Sequence, residues 1–184
     1  MQPMLIVAAI AGALVGAYLL IASPFNSSDD MVHDTSDLEM AGTCEDPLAR
    51  QFDFWVGQWN LTWEGGQGNN AVRSIMGGCV IEGNFSFPDG EYFGKSFSTY
   101  VPVQGVWKQT WVDNNGVYLD FIGKMEDDQM VFQRQFTNVE DQLVMQRIRF
   151  FDIEKDRMEW VWERSMDEGQ TWNILWQIHY ERRN

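Results

Sequence analysis

The sequence predicts an all-β domain of antiparallel strands that follows an apolar N-terminal segment. Aromatic residues make up 14% of the chain, with 12 Phe and 9 Trp, and residues of this kind are enriched in strands. Apolar and polar residues alternate along short segments, as they do from Trp59 to Glu64. Turn residues separate these segments at hairpin spacing, and the segments between them lack helical periodicity.

Length and charge restrict the possible classes of function. A chain of 184 residues with 45% hydrophobic content is long enough for one domain with a core. The formal net charge of -14 argues against nucleic acid and anionic membrane surfaces as partners, because both would repel the protein. We interpret the acidity as a solvated surface, since the acidic residues are dispersed along the sequence rather than gathered in one block.

The N-terminus is expected to anchor the protein. Residues 4–22 are uncharged and almost entirely apolar, and as a helix they nearly match the thickness of a bilayer core. No Lys or Arg precedes them, and Leu20 is a poor residue at the third position before a cleavage site after Ala22. We therefore expect residues 1–22 to form an uncleaved, single-pass transmembrane helix with the C-terminal domain outside the cytoplasm. The alternative is a secreted protein from which this segment is removed as a signal peptide.

The domain follows an acidic linker. Residues 23–43 have no periodicity and few large apolar groups, so we expect a flexible segment. The predicted domain covers residues 44–184. It begins with residues 45–52, which could form one or two helical turns that cover one end of the sheet structure.

About nine strands are expected in the domain. Gly77, Gly78 and Gly83 interrupt the second segment, where bends or bulges are expected. The clearest hairpin loop is residues 113–116, with the sequence Asp-Asn-Asn-Gly. The predicted segments are 52–63, 72–87, 92–100, 106–112, 118–122, 130–136, 142–151, 158–164 and 172–182. The pattern alone leaves both a sandwich and a barrel open.

Two sets of residues resemble known families. Gly57-Gln58-Trp59, with Arg182 or Arg183 at the end of the last strand, resembles the signature of the lipocalin and calycin superfamily, in which the Trp plugs one barrel end and the Arg packs across its ring. A larger set is similar to a family of exported or membrane-tethered proteins akin to the group called DUF1579: Phe52 to Trp59, Gly77 to Glu82, Gly94 to Ser96, Trp107 to Asp113 and Gly169 to Trp172.

This second resemblance covers roughly residues 50–183. Together the two imply an antiparallel lipocalin-like β-barrel of about 8–10 strands. The family has no agreed activity, so the resemblance implies a fold and little chemistry.

Residues 165–172, with the sequence Ser-Met-Asp-Glu-Gly-Gln-Thr-Trp, match the Asp-box pattern found at hairpin turns of sialidases and other β-proteins. In such a turn the Asp167 carboxylate accepts hydrogen bonds from turn amides, Gly169 takes a positive φ, and Trp172 packs beneath. A single copy predicts a structural role.

Cys44 and Cys79 are the two cysteines of the chain. In a domain outside the cytoplasm they suggest a disulfide, and the alternative is a buried free thiol at Cys79 with Cys44 unpaired. Two cysteines and two scattered histidines do not predict a metal site.

Aromatic residues provide the main indication of function. Trp107 and Trp111 share one strand face, and Trp160 and Trp162 share another. If these faces point inward, they would line an apolar cavity suited to a lipid, a flat ring or a sugar. The alternative is that the side chains fill the barrel. Ser96 and Glu82 complete the candidate ligand-binding residues, although an Arg-paired structural role for Glu82, with Arg149 or Arg164, is preferred over a general base.

No arrangement typical of catalysis is evident. His179 alternates with Ile178 and Tyr180, and is expected to point outward if those two residues point inward, which argues against haem ligation. We therefore predict no catalytic residues, no cofactor and a protein that binds a small apolar or amphipathic ligand. The alternatives are an interaction module with a filled barrel, and a hydrolase that uses Glu82 or Asp113.

Overall fold

The computed structural model describes Cys44 and residues 46–183, which form a closed barrel of ten antiparallel strands. Each strand pairs with the next along the chain, and β1 pairs with β10 to close the sheet. The strands are β1 Gly57–Trp63, β2 Gly66–Ile75, β3 Val80–Ser86, β4 Phe93–Val101, β5 Val106–Asp113, β6 Tyr118–Glu126, β7 Gln129–Thr137, β8 Leu143–Phe151, β9 Arg157–Ser165 and β10 Asn173–Arg182. The prediction of an all-β antiparallel barrel is confirmed, and the sandwich is excluded.

One predicted segment is two strands. Residues 72–87 were expected to form a single interrupted segment, but β2 begins earlier, at Gly66, and ends before a 3-10 turn at Met76–Gly78. Gly77 and Gly78 have φ values of 67° and 95°, which a glycine adopts without the steric cost that a Cβ would impose. The chain therefore reverses at these glycines instead of bending within one strand.

The predicted transmembrane segment and linker, residues 1–22 and 23–43, lie outside the described residues. Within the part of the chain that is described, none of the helices has the length and apolar character needed to cross a membrane.

Two short 3-10 turns close one end of the barrel. They span Pro47–Arg50 and Asp53–Trp55, and between them Phe52 enters the barrel and is fully buried. The Phe52 ring stacks on Trp55 with ring centroids 4.9 Å apart, and it meets the edge of Phe150 at 5.1 Å. Aromatic pairs in these geometries add to the stabilisation from burial, so this end is packed like a domain core.

The contact between β1 and β10 is held by Arg182. Its Cζ lies 4.2 Å from the centroid of the Trp59 ring, and the two residues are partners in the strand register. Its guanidinium also donates to the carbonyl oxygens of Val56 at 3.0 Å and Lys155 at 2.8 Å. Gly57 is required beside it, because a Cβ there would overlap the guanidinium. Arg182 therefore packs on the Trp59 ring, and Arg183 is exposed.

The Asp-box turn connects β9 to β10. Asp167 Oδ1 accepts from the Thr171 amide at 2.9 Å, and Oδ2 accepts from the Thr171 hydroxyl at 2.6 Å. The Ser165 hydroxyl accepts from the Gly169 amide at 2.8 Å. Hydrogen bonds from Thr171, followed by the one from Ser165, lower the pKa of Asp167 to about 2. These bonds fix the turn locally, at a distance from the barrel interior.

Cys44 and Cys79 form a disulfide across a separation of 35 residues, which confirms the predicted pairing. The bond ties the segment before the first 3-10 turn to the turn that precedes β3. Arg50 reinforces the same junction, because its Nη2 donates to the Gly78 carbonyl at 2.7 Å. The closed end of the barrel is therefore fixed to the β2–β3 connection.

Replacing Arg182 with Met should lower the free energy of unfolding by about 1–3 kcal/mol, because the partly buried Val56 carbonyl loses its donor and Trp59 loses its cationic partner. Chemical denaturation monitored by tryptophan fluorescence would measure the loss. The matched control is Arg183→Met at an exposed position, which should change stability by less than about 0.5 kcal/mol. Equal losses in the two variants would contradict the assigned role of Arg182.

Removing the disulfide with the double substitution Cys44→Ser and Cys79→Ser should cost about 3–4 kcal/mol of stability, because the unfolded chain regains the freedom of the closed loop. The same loss should follow when the unmodified protein is unfolded in the presence of a reductant. Denaturation midpoints that do not respond to either change would refute this contribution.

The Asp167 carboxylate should give a stability contribution that depends on pH. Its pKa in the folded protein is lowered to about 2, below the ordinary value of 3.8, so the contribution is complete above the ordinary value and is lost as the pH falls to about 2. Denaturation midpoints of the unmodified protein and of Asp167→Asn should therefore differ at neutral pH and converge in acid. The exposed control Asp120→Asn should show no such convergence.

Candidate functional site

The barrel interior is filled at one end and open at the other. Next to the 3-10 turns, five aromatic side chains occupy the interior. Trp55 is 4% exposed, and the other four are at most 1% exposed: Phe52, Trp107, Phe132 and Phe150. Phe52 contacts Trp107 at 5.6 Å and Phe132 at 5.4 Å between ring centroids, so no space remains between these rings for a ligand. Any small molecule must bind farther along the barrel.

A cavity of about 90 Å³ lies beyond this filled end. Most of its wall is aromatic, and Trp176 lies at the centre of that wall. The Trp176 ring meets Trp160 at 5.8 Å, Phe85 at 5.8 Å and Trp63 at 5.1 Å, in each case nearly edge to face. Because rings packed in this way support one another, the wall is a preformed apolar surface.

Polar side chains interrupt this wall at three buried positions. Asn70, Ser96 and Gln109 line the cavity and are each no more than 5% exposed. Asn70 Nδ2 donates to Tyr180 Oη at 3.4 Å, and burial raises the pKa of Tyr180 to about 12, so the phenol stays neutral. Every lining side chain among the described residues is uncharged at neutral pH.

Several polar atoms of this cavity lack hydrogen-bond partners. They are Asn70 Oδ1, Ser96 Oγ and the indole nitrogens Nε1 of Trp55, Trp162 and Trp176. By contrast, Trp59 Nε1 donates to the Trp55 carbonyl at 2.7 Å. Leaving a buried donor or acceptor unpaired costs about 1–3 kcal/mol, so such atoms normally have a partner. Residues that line the cavity therefore carry buried polar atoms, both acceptors and donors, that have no partner within the protein.

The Asp113 carboxylate accepts several hydrogen bonds beside the cavity. Tyr92, which lines the cavity, donates to Asp113 Oδ2 at 2.9 Å. The other carboxylate oxygen of Asp113 accepts from the amides of Asn115 and Val117 at 2.9 and 3.1 Å. Burial and the Asp113 carboxylate raise the pKa of Tyr92 well above its usual value. Asp113 therefore holds the turn between β5 and β6 to Tyr92.

The structure brings four of the six candidate ligand-binding residues together. Ser96, Trp111, Trp160 and Trp162 all line the cavity. Trp107 shares the inward face of β5 with Trp111, but it belongs to the filled end and does not line the cavity.

Glu82 lies on the outer face of the barrel, so its assignment to the interior site is corrected. It sits between the buried residues Ile81 and Gly83, and strand alternation turns it outward. Lys95 donates to it at 3.0 Å, and Arg73 lies 4.0 Å away, in place of the Arg149 or Arg164 partner that was expected. Hydrogen bonds from Asn84 and Lys95 lower the pKa of Glu82.

The buried carboxylate of the outer face is Glu163. Arg147 Nε and Arg149 Nε donate to its Oε2 at 2.7 and 2.9 Å. Although burial opposes the effect, these two arginines lower its pKa. Arg149, which was expected to pair with Glu82, therefore pairs with Glu163 on β9 instead.

His179 is on the outer face of β10, where its Nδ1 lies 2.7 Å from Glu159 Oε1. Its side chain is 44% exposed, whereas its neighbours Ile178 and Tyr180 are buried inside the barrel. Within residues 46–183 and Cys44, no group of three or more His, Cys, Asp or Glu side chains is arranged to hold a metal ion.

Sequence reasoning did not select Asn70, Gln109 or Trp176. Asn70 precedes the residue at which its strand was expected to begin. The sequence pattern therefore did not place it on the inward face that it shares with Val72. Gln109 is between Trp107 and Trp111 on the same face of β5, and alternation from either Trp could have identified it. Trp176 was on the expected interior face of β10, and its register partner Trp162 was a candidate.

No protein-family model and no curated protein sequence matches this chain.

Proposed function

We propose that the protein binds a small, mostly apolar molecule inside its barrel. The observation that carries this proposal is the presence of buried, unpartnered polar atoms in an aromatic cavity. Aromatic walls favour a flat ring, and the unpaired indole N–H groups favour a ligand that carries a hydrogen-bond acceptor. Ordered water could satisfy the same atoms in the absence of ligand, and a suitable ligand would displace it.

The size of the cavity restricts the ligand. A water occupies about 30 Å³ of liquid, and an engineered cavity of about 150 Å³ is known to bind benzene. The 90 Å³ available here therefore suits one ring, or one end of a longer molecule, with small outward shifts of the wall. Whole lipids would need a pocket of about 300 Å³ or more.

The two alternatives account for less of the geometry. A fully filled interior describes the end around Phe52, but it leaves the unpartnered atoms of the cavity unexplained. A hydrolase that used Glu82 or Asp113 would need one of these carboxylates to reach a substrate. Glu82 is engaged outside the barrel by Lys95, and Asp113 is engaged by Tyr92 and two turn amides.

We also propose that the barrel is held at a membrane, outside the cytoplasm, by the apolar segment of residues 4–22. The Cys44–Cys79 disulfide supports an oxidising compartment, because such bonds are rare in a reducing cytosol.

The relationship to lipocalin-like proteins, and to the DUF1579 group in particular, remains a proposal of this kind. The position of Arg182 over the Trp59 ring and the closure of the sheet between the first and last strands support it. Membership would place the protein among small-molecule carriers by fold alone, whereas the cavity supports binding through its own residues.

Titration with cinnamamide, an uncharged planar ligand with a carbonyl acceptor, tests the binding proposal. At about 0.5 kcal/mol for each non-hydrogen atom, we expect a dissociation constant on the order of 0.1 mM by calorimetry. In nitrogen-15 NMR spectra the indole signals of Trp162 and Trp176 should move, and that of Trp59, which already has a partner, should stay in place.

Ser96→Leu should weaken this binding at least about tenfold, because the added side chain occupies the cavity. The matched control is Ser74→Leu, at an exposed position on β2, and it should bind like the unmodified protein. Cinnamamide binding that is unchanged in Ser96→Leu, or spectra in which no indole signal responds to the ligand, would overturn the proposal.

A further inference from the structure

The barrel wall has an opening between β6 and β7. Backbone pairing between these strands runs from Ile122 opposite Gln133 to Glu126 opposite Gln129. The remaining halves, residues 118–121 of β6 and 134–137 of β7, continue as strands and pair only with β5 and β8 on their other sides. Two backbone edges therefore face each other unpaired, and they border the cavity, since Leu119 and Phe121 line it.

Arg134 is located at this opening. It follows Phe132 on the inward face of β7, and its Cζ lies 5.7 Å from the centroid of the Phe121 ring and 5.0 Å from that of Phe136. Nη1 of Arg134 is buried and has no hydrogen-bond partner. The opposite residue in the register, Gln146, has a buried Oε1 that is also unpartnered. The two rings hold the guanidinium in place, and its buried Nη1 remains free to donate.

A second arginine belongs to the same row. Gln146 is also the register partner of Arg164 on β9, so Arg134, Gln146 and Arg164 follow one another across three strands. The adjacent row consists of Phe132, Ile148 and Trp162, of which the last two line the cavity.

Neither arginine of this row has a carboxylate partner. The salt bridges formed by residues 46–183 include neither Arg134 nor Arg164. The chain has 27 acidic and 13 basic residues, so carboxylates are in excess, yet none of them lies within ion-pair distance of Arg134 or Arg164 in the described residues. A partly buried guanidinium without an anion is costly, and a bound anion would remove that cost.

We propose that Arg134 binds the carboxylate of a ligand whose aromatic ring occupies the cavity, so that the natural ligand is a small aromatic carboxylate. This inference rests on the proposed function of the cavity. A planar carboxylate can accept two parallel hydrogen bonds from one guanidinium, which makes a carboxylate the anion that suits an arginine best. The opening between β6 and β7 is then the route by which the ligand reaches the cavity, with its ring entering first.

The experiment compares cinnamate with cinnamamide, which share one shape and differ in charge. Calorimetry on the full chain should give cinnamate at least about tenfold tighter binding than the amide, as expected for hydrogen bonds to a charged group. Arg134→Met should abolish this preference, because it weakens the binding of cinnamate more than that of cinnamamide. Arg73→Met, at an exposed arginine of the outer face, should preserve the preference and serves as the matched control.

A second measurement needs no variant and keeps the test valid if Arg134→Met does not fold. The unmodified protein should also bind cinnamate more tightly than cinnamamide at about 0.5 M salt, where the repulsion between the acidic protein and an anion is largely screened. Equal affinities for the two probes would overturn the role of Arg134 and leave the cavity proposal standing. If neither probe binds, the cavity proposal itself fails.

Discussion

The pairing of β1 with β10 closes the barrel, and Arg182 holds this closure by packing on Trp59. Its guanidinium reaches the carbonyl oxygens of Val56, just before β1, and Lys155, in the turn between β8 and β9. A sheet without this closure would have two free edges, and its inward face would be open to water. The interior, and with it the cavity, exists only because these two strands meet.

Closure divides the interior into two regions with different properties. Around Phe52 the aromatic side chains are packed without space, which gives the domain a stable core. Farther along the axis the side chains are equally aromatic, but Asn70, Ser96 and several indole nitrogens lack partners. The filled core and the proposed binding site therefore meet at Trp55 and Phe150, which belong to the packed aromatic cluster and also line the cavity. The disulfide joins the segment before the first 3-10 turn to the turn that precedes β3.

The sequence was sufficient to predict the fold class and the faces of most strands, because both depend on an alternation that any strand obeys. It could not predict depth along the barrel axis: Trp107 and Trp111 share a face, yet one fills the core and the other lines the cavity. Depth depends on how strands are staggered at closure, which involves residues far apart in the chain. The outward orientation of Glu82 could have been predicted from its apolar neighbours in the strand. Arg134, by contrast, lies in a run of polar residues that predicts an exposed side chain.

We propose that this barrel holds a small molecule. Native mass spectrometry tests this proposal most directly. The full chain would be purified from an oxidising compartment and then incubated with small aromatic compounds. We predict a one-to-one complex in addition to the free protein, and a mass that carries the disulfide. A protein that is observed only at its bare mass, whichever compound is offered, would contradict the claim and favour an interaction module with a filled barrel.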